Sequence, residues 1–324
     1  MNNGLIKNKK SVLALTGLLI VIFHLWINIF SGSNVELFIR TTSYFGVDMF
    51  FFLSAYSLGS RRIDNIPPFY LSRLKSVYVK FAFFTAIQAL LASWSVEKVV
   101  KTLIGYELVE KGGGSFLWFL PAIMLLYLIM PFYQRVYEKK PVITAILSFL
   151  VWFTVALLLT ERTQYRAGFI FWNRLPIFFI GFLCAKIPKA VVDRVKTSIW
   201  GLVLFLVGLF LLFEFGFQYK LQEPIWNMFY VLDMPAAIGL TLLADHIPAG
   251  RFVESIGSST LEMYGVQMVI GYPIAELLLR LTGSAALTNL VTILIVIVIS
   301  VLLRYLFALI YALPEQKKKA VDHP

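Results

Sequence analysis

The chain is predicted to be all-α: a single domain over residues 1–324, folded as a polytopic membrane bundle of about ten helices with both termini cytoplasmic. Three observations predict this. Hydrophobic residues make up 59% of the chain and charged residues 15%, where soluble domains usually carry about 25% charge. Apolar runs recur from Ser11 to Leu313, and a spanning helix needs ~20 largely apolar residues. Lysine and arginine cluster between the runs and sort unevenly to two sides.

The first run, near 11–30, follows Lys7, Lys9 and Lys10. Its outline is that of a signal peptide, but Phe30-Ser31-Gly32-Ser33 is a poor cleavage site, so it reads as a retained span. The next runs lie near 44–59 and 77–94, with Arg61, Arg62, Arg73 and Lys75 between them. The longest polar connection, Ser95 to Ser115, reads as a loop or a short surface helix, and its Gly112-Gly113-Gly114 as a flexible turn. Runs near 116–134 and 141–160 flank Arg135, Lys139 and Lys140. Further runs follow near 167–185, 198–216, 226–244, 257–279 and 287–312, the last closed by Lys317–Lys319. Pro121, Pro131, Pro176, Pro235 and Pro273 fall inside runs, where membrane helices tolerate them.

With this alternation, 18 of the 29 Lys and Arg fall on the side of the termini and 8 on the other, leaving Lys80, Arg174 and Arg304 within or at the edge of spans. The richer side is expected to be cytoplasmic. The same bias accounts for the net charge of +11, so no nucleic-acid partner is expected; the expected partner is the bilayer and the expected location a cell membrane. The single cysteine, Cys184, excludes an intrachain disulfide. No metal-ligand spacing, phosphate loop or nucleophile elbow occurs, and no internal repeat of the transporter kind is detectable.

Ionisable groups at membrane depth are costly and mark function or locked packing. At ~1.5 Å rise per residue, His24, Asp48, Arg174 and Asp233 all fall within roughly 6–11 Å of the outer boundary. Glu262 and Arg304 form a second, inner layer. A structural ion pair is the simplest reading of Arg174 with Asp233, and of Glu262 with Arg304. Asp48 reads equally as a helix cap. His24, one of three histidines with His246 and His323, could be a satisfied interhelical hydrogen-bonding residue. With a carboxylate in the same layer it is favoured as a general base, Asp48 holding its tautomer.

Several segments resemble, in order, those of the acyltransferase 3 family of bacterial membrane proteins. Phe45-Gly-Val-Asp-Met-Phe-Phe-Phe-Leu-Ser-Ala55 is similar to that family's glycine-valine-aspartate signature, with Ala55 for its last glycine. Leu18–His24 is similar to its apolar run ending in histidine. Leu117-Trp-Phe-Leu120 with Tyr127 and Pro131, Arg174–Gly181, and Thr260-Leu-Glu-Met-Tyr264 resemble its later segments. Three positions depart: Leu13 and Ser76 stand where the family has arginine, and Gln267 where it often has histidine.

The resemblance implies an O-acetyltransferase with ten spans. It would move an acyl group, most simply acetyl, from a cytoplasmic acyl-CoA to a hydroxyl of a cell-surface carbohydrate or lipid-linked glycan. No bound cofactor is implied; acetyl-CoA would be a co-substrate. His24 and Asp48 would be catalytic. Inner-face cations, Lys10, Arg62, Arg73 and Lys75, would hold the donor's phosphates, although a solvated positive-inside loop is the commoner reading of such a cluster. Arg174, Asp233, Glu262 and Arg304 would line the pocket or lock helices. The competing readings are an inactive relative that scaffolds an envelope assembly, to which the missing arginines point, and a glycolipid or solute transporter. A homo-oligomer or an envelope assembly is compatible with each.

Overall fold

A computed structural model describes residues 3–24, 39, 42–111, 114–159, 170–217, 229–248 and 250–322. Among them there is no strand. The predicted glycine turn, apart from Gly114, lies outside the described residues, as do Arg40, Arg162, Arg166, Lys220 and His323.

The helices are α1 Lys9–Phe23, α2 Phe45–Gly59, α3 Ile66–Arg73, α4 Val79–Leu91, α5 Val96–Leu103, α6 Tyr106–Lys111, α7 Phe119–Lys139, α8 Pro141–Leu159, α9 Leu175–Cys184, α10 Lys189–Val192, α11 Thr197–Leu211, α12 Phe229–Leu232, α13 Met234–Ala244, α14 Arg251–Ser258, α15 Thr260–Thr282 and α16 Ala285–Asp322. Each predicted span therefore contains helix. Ile66–Leu91, Phe119–Lys139, Pro141–Leu158 and Ala285–Tyr311 are long and apolar enough to cross a bilayer unaided. Phe45–Gly59, Ile170–Cys184, Thr197–Leu211 and Met234–Ala244 are shorter apolar helices.

Two boundaries differ from expectation for physical reasons. The third span begins before residue 77, because α3 runs through a π-helical turn at Leu74–Tyr78 into α4. Prolines occupy the first turn of α3, where a missing N–H costs nothing. At the far end, Gly283 takes the left-handed conformation (φ 63°) and its N–H bonds Leu279 O at 2.9 Å. That cap ends α15 and turns the chain into α16.

The core is built around α1 and α2. α2 packs on α9 and α1, α1 on α14 and α15, and α11 on α13. Close approach needs glycine: a Cβ on Gly181 of α9 would collide with the Phe52 carbonyl oxygen of α2. Residues before α1 strap the basic end. Asn3 Nδ2 donates to Cys184 O (2.8 Å) and Ile187 O (2.9 Å), and Lys7 N donates to Asp245 Oδ1 at 2.7 Å.

The inner-layer ion pair differs from the expected one. Fully buried Glu262 pairs with Lys80 of α4 at 2.6 Å, not with Arg304. The Arg304 guanidinium lies 5.3 Å from the Tyr305 ring. Depth alone selects a layer, and the helical phase of α4 and α15 then brings Lys80 to Glu262.

Candidate active site

Two cavities lie at opposite ends of α1. Lys9 at its start and His24 at its end are separated by 15 residues, a rise of about 22 Å along the helix.

The His24 cavity has a volume of about 290 Å³ and is lined by Ile20, Phe23, His24, Tyr44, Val47, Phe50, Ser115, Trp118, Phe119, Ile170, Leu261, Tyr264 and Met268. Most of these atoms are apolar. His24 follows the last turn of α1, and its Nδ1 lies 2.9 Å from Ile20 O. A neutral imidazole in that geometry donates from Nδ1 to the carbonyl, which leaves Nε2 as the acceptor. The Phe23 ring stands edge-on to His24 at 4.8 Å and lies 4.1 Å from Tyr44. Between the lining residues Ser115 and Trp118 in the chain, Leu117 is fully buried with φ 52°. A non-glycine residue there costs on the order of 1–3 kcal/mol and is kept where packing over-determines it.

Asp48 does not line this cavity. It is fully buried and pairs with Arg174, whose Nε lies 3.1 Å from Oδ1 and 3.2 Å from Oδ2. Asp233, also fully buried, acts electrostatically on both. The expected Arg174–Asp233 pair is thus an Asp48–Arg174 pair with Asp233 beside it. In the described structure the Ile20 carbonyl, one turn back on α1, holds the His24 ring through Nδ1.

The second cavity, about 280 Å³, is lined by Lys9, Ser54, Ser57, Leu58, Arg61, Arg73 and Tyr127. Three cations face it without a carboxylate. The Arg73 guanidinium lies 5.3 Å from the Phe69 ring and 5.1 Å from Tyr127, and its Nε has no hydrogen-bond partner among the described residues. The π-turn that follows Arg73 is of the kind often found at functional positions. Lys9 Nζ donates to Ser57 Oγ. The loop carrying Arg61 is pinned by Gln134, whose Nε2 donates to Leu58 O (2.7 Å) and Arg61 O (3.0 Å). Although Lys9 reaches solvent, desolvation in the cavity and then the Arg73, Arg61 and Lys10 charges push its ammonium down to about 8.

Of the cations expected to hold a donor, only Arg73 lines this cavity. Lys10 Nζ donates to Ser258 Oγ at 2.7 Å, Arg62 pairs with Asp64 at 2.7 Å, and Lys75 is exposed outside it. Their neighbours Lys9 and Arg61 line it instead, Lys9 one position before Lys10 on α1 and Arg61 just after the end of α2. Gln267 is buried between Tyr264 and Met268 in sequence but does not line the His24 cavity.

Residues 14–309 match the family model described as an acyltransferase domain. The chain belongs to the acyltransferase 3 family. Comparison with curated proteins and with solved structures gives no match. As an acyltransferase 3 protein it is a membrane acyltransferase, and the ordered segments from Leu18 to Tyr264 lie inside the matched region. The signature aspartate of this acyltransferase is the one bound to Arg174, and the histidine that ends its first apolar run is the one in the aromatic cavity.

Proposed function

We propose that this acyltransferase moves an acyl group, most simply acetyl, from a cytoplasmic acyl-CoA to a hydroxyl of a cell-surface carbohydrate or lipid-linked glycan. The observation that carries this reading is the pair of cavities at opposite ends of α1, one lined by cations and one by aromatic rings around His24. Phosphate is the ligand that three convergent cations favour. Aromatic walls with a few polar atoms suit a pyranose face and an apolar tail. The rise of about 22 Å between Lys9 and His24 suits a donor whose reactive thioester sits far from its phosphates.

In the proposed reaction His24 Nε2 accepts the proton of the acceptor hydroxyl while Nδ1–H stays on Ile20 O. The oxygen attacks the thioester carbonyl carbon, the C–S bond breaks, and the imidazolium returns its proton to the departing thiolate. Charge and atoms balance, and no other co-reactant is needed. Lys9 and Arg61 supply positive charge that Leu13 and Ser76 do not, which argues against an inactive scaffold. The topology belongs to this reading: ten spans, both termini cytoplasmic, in a bacterial cytoplasmic membrane.

Purified protein in lipid nanodiscs with radiolabelled acetyl-CoA tests it. Acetyl transfer or donor hydrolysis is expected, and His24→Ala should lower it roughly 10²–10⁴-fold in protein that remains folded. Full activity in folded His24→Ala protein would remove the proposed chemistry.

A further inference from the structure

Arg174 carries more than an ion pair. Its guanidinium carbon lies 5.6 Å from the Tyr44 ring and 5.8 Å from the Trp118 ring. Its Nη1 donates to Ile170 O at 3.0 Å. Tyr44, Trp118 and Ile170 all line the His24 cavity, whereas Arg174 does not. The side chain is fully buried and anchored by fully buried Asp48, whose sequence neighbour Val47 also lines the cavity. One guanidinium therefore touches three walls of the cavity from behind.

A guanidinium is suited to this work. It is planar, permanently charged, and stacks on rings while its edge donates hydrogen bonds in fixed directions. Lysine supplies the charge without the plane. A cation held behind a ring attracts its π face and fixes its tilt.

We propose that Arg174, fixed by Asp48, is the positioning residue of the His24 cavity: it sets Tyr44 and Trp118 as the rings against which an acceptor sugar lies, and ties Ile170 beside them. The proposal rests on the acceptor reading of that cavity. It gives the signature aspartate the task of fixing Arg174 behind the cavity wall. In this account Arg174 acts through Tyr44 and Trp118, so its loss should weaken acceptor binding before it changes the proton transfer.

The probe is octyl glucoside, a pyranose with an apolar tail, used below its micelle concentration on protein in nanodiscs. The readout is the rate at which diethyl pyrocarbonate modifies His24, followed by peptide mass spectrometry. His246, whose Nε2 lies 3.0 Å from Thr197 Oγ1 at the other end of the bundle, is the internal reference. In the native protein the probe should slow His24 modification and leave His246 unchanged. Arg174→Lys should weaken that protection by about fivefold in probe concentration. Trp118→Leu should do the same, and Trp118→Phe, which keeps a ring, should retain it. Where Arg174→Lys does not fold, the double variant Asp48→Asn with Arg174→Gln removes cation and counter-ion together and is read the same way. Native protection in either folded Arg174 variant, or no protection in the native protein, overturns the proposal. Native protection without any transfer from acetyl-CoA would defeat the acyl-transfer reading alone and leave this one standing.

Discussion

Lys9 is the residue whose charge is most open to experiment. Desolvation and the neighbouring Arg73 and Arg61 cations lower its ammonium from 10.5 to about 8. The sign follows directly: below pH 8 the cavity holds three cations, and above it the Lys9 charge is lost. Anion affinity should therefore fall between pH 7 and pH 9, by roughly threefold for one partly solvated contact, as measured by isothermal titration with coenzyme A. Lys9→Ala should bind more weakly at pH 7 and show no such step. A step of equal size in Lys9→Ala would assign the titration to another group. At this scale the sequence was informative about which ionisable groups are buried and poor at pairing them. That Asp48, Arg174 and Asp233 share one layer was legible because rise along a helix is fixed. Their partners were not, because pairing depends on how each helix is rotated. Lys80 in place of Arg304 as the partner of Glu262 is a difference of helix rotation. Tyr44 gave no signal in a chain with 16% aromatic residues, where such rings are common at interfaces and in packing, and Trp118 stood out only as part of the Leu117–Leu120 segment.

Among the helices, the α4–α15 contact combines an ion pair with a glycine. Lys80 meets Glu262 at 2.6 Å, and one turn on, a Cβ at Gly265 would strike the Phe84 ring. Removing one partner of a buried pair costs about 3–5 kcal/mol, because the other charge is stranded. Lys80→Ala should thus lower the thermal unfolding midpoint in detergent markedly, and Lys80→Met with Glu262→Gln should recover much of the loss. Equal midpoints for Lys80→Ala and the native protein would mean that the pair contributes nothing. Every predicted span contained helix because apolar length is a strong signal. The early start at Ile66 was missed because Pro67 and Pro68 look like breakers, although a first turn accepts them.

For the whole molecule, the charge asymmetry between the two sides leads to a topology that labelling can check. On a Cys184→Ala background, a cysteine at Lys111 should react with an impermeant maleimide only from outside. A cysteine at Lys75 should react only once the cytoplasmic face is opened. Labelling of Lys111→Cys from the cytoplasmic side alone would invert the arrangement. Among the described residues, four helices are long and apolar enough to cross unaided. The helix α2, at 15 residues, extends about 22 Å, less than the ~30 Å hydrocarbon core of a typical bilayer.

The path between the two cavities runs along one helix, and a helix has a phase as well as a length. Lys9 and His24 are 15 residues apart, which at about 100° per residue leaves them only about 60° out of register around the α1 axis. A single residue inserted between them would turn that angle to about 160° and lengthen the helix by only ~1.5 Å. Neither side chain would be altered, yet the two ends would face opposite ways. Seven inserted residues would restore the angle nearly completely and add about 10 Å. The spacing from the basic mouth to the histidine is thus constrained to particular lengths, in the manner of a key whose teeth are cut along a twisted blade.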